Sequence, residues 1–160
     1  MNIIQDAAFF AGFHHGSQRY GAHCHSVHLE AVAQVLSDAG IDDPELIACA
    51  WLHDVLEDTD ADGGELTKQF GADVYAVVFA CTGVGPTRKD RNASIYAKVA
   101  EYPRAAIVKV ADRIANVEHS APGSRHRSMY QNERAAFWNG VARFAPKQLQ
   151  DRLDAAYEKE

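Results

Sequence analysis

The amino-acid sequence predicts an all-α fold, a compact single domain over residues 1–160 built as a stack of about eight helices. Apolar residues recur at helical spacing along most of the chain, and the sequence lacks alternating strand patterns bounded by hairpin turns. A length of 160 residues suits one ordinary domain with a real core. The fractions of hydrophobic residues, 47%, and of charged residues, 24%, are those of a globular protein. We therefore expect one independently folding domain.

The helical periodicity divides the chain into predicted segments that are joined by short loops. These segments are 3–19, 27–39, 44–58, 64–80, 90–101, 103–119, 127–144 and 146–158. Gly40 is typical of a position just after a helix, whereas Pro44, Pro103 and Pro146 are typical of helix starts. Clusters of glycine, proline, serine and threonine predict two further loops, at 82–86 and 121–124.

The bulk composition argues against several classes of protein. The formal net charge of −6 disfavours binding of long nucleic acid, which requires a basic surface. The N-terminus lacks the features of a secretory signal and the apolar runs are short, so we expect a cytoplasmic protein without a membrane span. The three cysteines have no CxxC spacing, which disfavours a disulfide framework and a thiolate zinc site. The sequence does not predict the oligomeric state.

Basic residues are concentrated in one part of the chain. From Arg88 to Arg127 there are nine Lys or Arg residues and four Asp or Glu residues, whereas the rest of the chain is acidic. Such a local excess could receive a small, highly charged anion. A plain solvated helix face would produce the same pattern, so both interpretations stay open at this point.

The predicted helix 44–58 carries the most informative pattern. Its apolar residues surround the helix axis, so we expect it to be buried. The same helix places Glu57 one turn after His53 and Asp58 one turn after Asp54, within a sector of about 140°. Buried carboxylates without partners are costly and repel one another, so a cation is needed to hold them. A divalent metal ion is the simplest such cation.

Two further ionisable residues occupy inward positions of other predicted helices. His28 is in register with the apolar face of its helix, and Asp112 is the only acid in the middle of its own. Each has a simpler explanation, since a buried histidine is often a hydrogen-bonded core residue and Asp112 could pair with Arg113 or Lys109. Their combination with an adjacent His-Asp pair favours a metal site. Two imidazoles and two carboxylates suit Mn(II), Fe(II) or Zn(II), with open positions for water.

The histidine, the His-Asp pair and the aspartate found above resemble, in their order, the H…HD…D pattern of the HD phosphohydrolase superfamily. Further segments, HSVHLEAVA, AWLHDVLEDT and VKVADRIANV, are similar to successive blocks of the hydrolase domain of the RelA/SpoT family, especially its stand-alone small alarmone hydrolases. The resemblance covers residues 9–117. The HDxxED and KxADRxxN extensions make it more specific than the bare pattern.

What this resemblance implies is a Mn(II)-dependent pyrophosphohydrolase that removes the 3′-pyrophosphate of (p)ppGpp-type nucleotides. The implied metal ligands are His28, His53, Asp54 and Asp112. The residues implied to position and activate the attacking water are Glu57 and Asp58. General chemistry agrees, since a carboxylate near a metal ion can accept the proton of a water molecule.

The resemblance also points to residues that contact the nucleotide. Lys109 and Asn116, one turn either side of Asp112, resemble family positions that either support the metal ligands or contact the nucleotide, although Lys109 could instead form a plain salt bridge. The family follows its Gln-Arg pair with further basic residues where the base is held, whereas this chain has Tyr20 after Arg19. The base, guanine or adenine, stays open because an aromatic face stacks on any base. Charge and loop position alone suggest three candidate phosphate contacts, Arg125, Arg127 and Tyr130.

The preferred function is therefore a hydrolase that releases pyrophosphate from (p)ppGpp or (p)ppApp. An HD-type enzyme that releases orthophosphate from another nucleotide would use the same metal ligands. A catalytically silent module that binds a nucleotide, or that a metal only stabilises, is the third alternative. The presence of both Glu57 and Asp58 favours catalysis, because a purely structural metal site has no need of two further acids.

Overall fold

Ten α-helical segments and one short β-hairpin make up residues 2–159, the part of the chain that the computed structural model describes. In chain order they are α1 (Ile3–His15), β1 (Arg19–Tyr20), β2 (His23–Cys24), α2 (His25–Asp38), α3 (Pro44–Leu52), α4 (Val55–Asp58), α5 (Gly63–Phe70), α6 (Ala72–Cys81), α7 (Arg88–Glu101), α8 (Ala105–His119), α9 (Arg125–Gly140) and α10 (Lys147–Glu158). A turn of 3-10 helix, Ala142–Phe144, precedes α10. The predicted all-α fold is confirmed. Within residues 2–159, no helix combines the length and the apolar character needed to cross a bilayer.

The first predicted helix ends early because Gly16 leaves the helical conformation. A capping box between Asn2 and Gln5 starts α1, and Gly16 follows its last residue with φ +52°. The chain then forms the antiparallel β1–β2 hairpin, in which Tyr20 pairs with His23. Strands of two residues carry no alternating pattern, so the sequence could not predict them.

Two predicted helices are each divided into two. The fourth predicted helix breaks at Gly71, whose φ of +94° lies in the region that favours glycine. The third breaks at His53 and Asp54, between α3 and α4. There the His53 ring donates a hydrogen bond to the Ala50 carbonyl over 2.7 Å. In a continuous helix that carbonyl would accept from the Asp54 N–H, so the chain turns at the His-Asp pair.

The remaining helix boundaries lie within a few residues of their predicted positions. Pro44 is the first residue of α3, and α2 ends two residues before Gly40. Pro146 immediately precedes α10, whereas α8 begins two residues after Pro103. Both predicted loops lie outside the helices. Local turn chemistry therefore predicted these ends well.

Helix α8 lies at the centre of the stack. Ten of its 15 residues are buried, and it packs against α2, α3, α6 and α10. Helix α3 packs in turn against α1, α2 and α6. Because α2, α3 and α8 contact one another, polar side chains on their facing sides meet inside the core.

Candidate active site

Four side chains that the sequence singled out converge where α2, α3 and α8 meet. They are His28, His53, Asp54 and Asp112, here called the inner cluster. His28 Nε2 lies 3.0 Å from Asp112 Oδ1, and His53 Nε2 lies 3.4 Å from the same oxygen. His53 Nε2 is also 3.2 Å from Asp54 Oδ1. Both imidazoles are buried, so they face the carboxylates from inside the core.

The backbone hydrogen bond of His53 fixes which ring nitrogen faces the carboxylates. A carbonyl oxygen can only accept, so Nδ1 carries the proton that it donates to Ala50. In the neutral ring, the lone pair of Nε2 then points toward Asp54 and Asp112. Among residues 2–159, this buried Nε2 has no hydrogen-bond partner. A lone pair that faces two carboxylates requires a positive charge between them.

The charges of the inner cluster depend on one another. Burial raises the pKa of Asp112, but Lys109 and His53 outweigh this and hold the pKa well below its usual range. The pKa of Asp54 is likewise raised by burial and lowered more strongly by His53 and His25. Burial lowers the pKa of His53, but the two carboxylates raise it well above its ordinary value. Both carboxylates are therefore ionised and favour a cation, either a proton on His53 or a metal ion.

Three members of the inner cluster, His28, His53 and Asp112, have the donor atoms and the spacing of a divalent metal site. One ligand atom each from His28, His53 and Asp112 lie within 4.8 Å of one another. Two ligands of one ion can lie up to about 4.4 Å apart, since each is about 2.0 to 2.2 Å from the metal. The histidine-to-carboxylate distances of 3.0 and 3.4 Å fall within that span. These three residues therefore fit a divalent ion, and their nitrogen and oxygen donors suit Mn, Fe or Zn.

Glu57 and Asp58 follow the inner cluster in the chain but point in different directions. Glu57 Oε1 accepts a hydrogen bond from the Gly83 N–H over 2.5 Å. Asp58 Oδ2 accepts one from Gln18 Nε2 over 3.0 Å. The prediction that four ionisable groups share one sector of a continuous helix is wrong, because the chain breaks between α3 and α4. Desolvation raises the pKa of Glu57, and Lys109 partly offsets the increase.

Gly83 is a position in the site that sequence reasoning missed. A Cβ atom at this residue would lie 2.7 Å from Arg91 Cβ and 2.8 Å from Glu57 Oε1. Only glycine therefore allows the backbone N–H to approach the Glu57 carboxylate so closely. The sequence marks this segment merely as a loop, because no local pattern connects it with a residue 26 positions earlier.

A pocket of about 270 Å³ opens beside the inner cluster. Its walls come from the hairpin, the end of α8 and the start of α9, and consist of Arg19, Tyr20, Gly21, Asn116, His119, Ser120, His126 and Tyr130. The Tyr20 ring stacks on His28, with ring centroids 4.6 Å apart. The Tyr20 hydroxyl donates to Asn116 Oδ1, and Asn116 Nδ2 donates to Asp112 Oδ1. These contacts connect the pocket wall directly with the inner cluster.

The pocket includes four of the predicted substrate contacts, Arg19, Tyr20, Asn116 and Tyr130. Lys109 instead pairs with Asp112, with Nζ 2.9 Å from Oδ2. Arg125 is exposed as the first residue of α9 and does not line the pocket. Lys109 thus forms the salt bridge that the sequence left open as the alternative to a nucleotide contact.

The structure corrects the expectation for Arg127. Its side chain is buried, and its guanidinium donates hydrogen bonds to the carbonyls of Val117, Ala156 and Lys159. These bonds satisfy carbonyl groups at the C-terminal ends of α8 and α10. Because these three carbonyls accept its hydrogen bonds, the Arg127 guanidinium does not face a phosphate in the pocket. Charge and loop position predicted a phosphate contact, because the packing of α10 on α8 is not visible in the local sequence.

Three histidines without an assigned role also lie in or near the site. His119 and His126 line the pocket, and His25 Nε2 is 3.1 Å from Asp54 Oδ2. For two of them, His25 and His119, helical register could have indicated a position near the site. His25 precedes His28 by three residues on α2, and His119 follows Asn116 by three on α8.

Comparison with known protein families finds an HD domain over residues 7–143. A guanosine-3′,5′-bis(diphosphate) 3′-pyrophosphohydrolase of Aquifex aeolicus is 38% identical over 121 residues, 72% of this chain and 17% of that protein. An enzyme with the same description from Danio rerio is 32% identical over 122 residues, 72% of this chain and 67% of that protein. The chain spans about a sixth of the length of the first curated relatives, 16% or 17% of each.

A solved structure has the same overall fold. It is described as a metazoan orthologue of SpoT that hydrolyses ppGpp. The alignment has a TM-score of 0.79 at 24% identity and covers 98% of this chain and 94% of that one. At this level of identity, the likeness establishes the shared fold.

Proposed function

Because this chain belongs to the HD-domain family, we propose that it is a divalent-metal-dependent 3′-pyrophosphohydrolase of alarmone nucleotides, (p)ppGpp, (p)ppApp or both, and that it releases pyrophosphate. The observation that carries this proposal is the inner cluster, where two imidazoles and two ionised carboxylates meet beside a pocket. The matched HD domain spans all four of these residues. Relatives of similar sequence are named for this activity.

The inner cluster would hold the metal ion, which we propose to be Mn²⁺. His28 and His53 supply nitrogen donors, and the two aspartates supply anionic oxygen donors, a mixed set that suits this ion. When bound, a divalent ion lowers the pKa of its water and offsets charge on phosphoryl oxygens. Lys109 and Asn116 both contact the Asp112 carboxylate and so orient it within the cluster.

Glu57 is the proposed proton acceptor for the attacking water. Desolvation raises its pKa, which makes this carboxylate a better base near neutral pH. The Gly83 N–H fixes one carboxylate oxygen and thereby orients the second, which we expect to accept the proton. Asp58, which Gln18 holds from the other side, is the second carboxylate of the proposed catalytic pair.

The nucleotide would lie in the adjoining pocket, with its 3′-pyrophosphate toward the inner cluster. Tyr20, His119, His126 and Tyr130 supply aromatic surface, and Asn116 supplies a polar group. The Arg19 guanidinium donates to the Ala22 carbonyl within the hairpin. Lys109 and Arg125 would contact the phosphate groups only through a change of side-chain conformation.

The phosphate product tests the proposed function. The protein would be incubated with Mn²⁺ and a nucleotide panel that contains (p)ppGpp, (p)ppApp and nucleoside monophosphates, and pyrophosphate would be separated from orthophosphate. We expect pyrophosphate from nucleotides that carry a 3′-pyrophosphate. Orthophosphate from a monophosphate would instead support another HD chemistry. No product from metal-loaded protein would support a silent binding module.

The base of the nucleotide should have little influence on turnover. Tyr20 is neutral and contacts aromatic rings on His28 and His119, so the pocket wall offers no extra charge at this position to select guanine. Stacking on aromatic groups is worth about 1–3 kcal/mol for any base. We therefore expect comparable hydrolysis of (p)ppApp and (p)ppGpp in a competition at equal concentration. A preference for guanine above about a hundredfold, or about 2.7 kcal/mol, would contradict this expectation.

A further inference from the structure

A second group of metal-binding side chains lies next to the inner cluster. His15 is the last residue of α1, His25 is the first residue of α2, and Asp58 is the last residue of α4. One ligand atom from each lies within 4.8 Å of the others. The two imidazoles are buried, with 7% and 5% exposure, and their ring centroids are 4.3 Å apart. We call these three residues the outer cluster.

The hydrogen bonds of Gln18 fix the tautomer of His15. The Asp58 carboxylate accepts, so the Gln18 amide turns its Nε2 toward Asp58, at 3.0 Å. Gln18 Oε1 then faces His15 Nδ1 at 2.8 Å, and Nδ1 must donate. His15 Nε2 therefore carries a lone pair, and among residues 2–159 it has no hydrogen-bond partner.

The same reasoning applies to His25. Its Nε2 lies 3.1 Å from Asp54 Oδ2, and the carboxylate can only accept, so Nε2 donates. His25 Nδ1 then carries a lone pair in a buried position without a partner among the described residues. Metal-binding histidines commonly donate their second ring N–H to a carboxylate in this way. Asp54 thus belongs to the inner cluster and orients a ring of the outer cluster.

We propose that His15, His25 and Asp58 form a second divalent metal site, which takes an ion that accepts nitrogen and oxygen donors, such as Zn²⁺ or Mn²⁺. Buried imidazole lone pairs without hydrogen-bond partners are costly, and an ion held by His15 Nε2 and His25 Nδ1 would satisfy both of them. Three protein ligands leave a coordination position open, as in catalytic rather than structural zinc sites. The inference goes beyond the proposed function and does not depend on it.

The number of bound metal ions tests this site. Protein saturated with Zn²⁺ or Mn²⁺ and freed of unbound ion should retain about two ions per chain in the wild type. His15→Gln and His25→Gln should each retain about one, because each removes an outer ligand. His14→Gln is the matched control, since His14 lies beside His15 but contacts Glu65 instead. It should retain the wild-type amount.

Two further variants separate metal loss from misfolding. Asp58 is exposed, so Asp58→Asn should remove the outer ion without disturbing the core. His53→Ala should lose the inner ion and keep the outer one. Circular dichroism would identify a variant that fails to fold, in which case Asp58→Asn decides. About one ion in the saturated wild type, or wild-type metal content in folded outer-cluster variants, would overturn the proposal.

Metal content also separates this inference from the proposed function. Two bound ions in a protein that releases no pyrophosphate would support the outer site and contradict the hydrolase. Pyrophosphate release by a protein that binds a single ion would support the hydrolase and contradict the outer site.

Discussion

A Glu57→Gln variant is expected to keep its inner metal ion and to lose about two to four orders of magnitude in kcat, the range typical of a missing general base. Glutamine is nearly isosteric with glutamate, and its carbonyl oxygen can still accept the hydrogen bond from Gly83. It can also orient a water molecule, but it cannot accept the proton of that water. Single-turnover rates of pyrophosphate release, with metal content measured on the same samples, would check this expectation.

A substitution at Gly83, which donates the hydrogen bond to Glu57, tests the same role of the Glu57 carboxylate. Gly83→Ala should displace the Glu57 carboxylate, since the new Cβ would lie 2.8 Å from Oε1 and 2.7 Å from Arg91 Cβ. We expect lower kcat with unchanged metal content. Gly12→Ala is the matched control, because Gly12 is on α1 and an added Cβ meets nothing within 4 Å. Wild-type turnover by Glu57→Gln would remove Glu57 from the mechanism and leave Asp58 as the candidate base.

The inner cluster could be predicted because its signals are local. His28 and Asp112 each occupy an inward position of one helix, and helical register reveals such positions from the sequence alone. The break at His53 could not be predicted from register, since it depends on a side-chain bond to the Ala50 carbonyl that competes with the helix. The role of Glu57 in activating a water molecule beside the metal stays a prediction. The predicted direction of its side chain was wrong, because it assumed a continuous helix through His53 and Glu57.

Residues that depend on packing between distant segments were the hardest to predict. Arg127 carries the charge expected of a phosphate contact, yet carbonyls of α8 and α10 take up its guanidinium. His15 reaches His25 only because the chain turns at Gly16 and returns through the hairpin. Neither arrangement has a periodic signature. Charge and residue type name candidates, whereas tertiary contacts decide which of them meet.

An Asp54→Asn variant is expected to lose the inner metal ion and with it the stability that the metal supplies. An ion present at 100 times its Kd stabilises the folded state by about 2.7 kcal/mol. For a chain of this length, about 2–4 °C of Tm accompanies each kcal/mol. We therefore expect Tm of the metal-loaded wild type to exceed that of Asp54→Asn by about 5–10 °C. Calorimetry with metal analysis would measure both effects.

Chelation should then narrow this difference. Without an ion, a proton on His53 lies between Asp54 and Asp112, because these carboxylates hold the pKa of His53 well above its ordinary value. The pKa of Asp54 is well below its usual range, so its ionised form still stabilises the metal-free fold at neutral pH through His53 and His25. Metal-free Asp54→Asn should therefore be less stable than metal-free wild type, but by less than the metal-loaded proteins differ. Asp60→Asn, at an exposed aspartate outside both clusters, is the control and should keep both the metal and the wild-type response to chelation. Wild-type metal content in both Asp54→Asn and His53→Ala would show that the inner cluster is not the metal site.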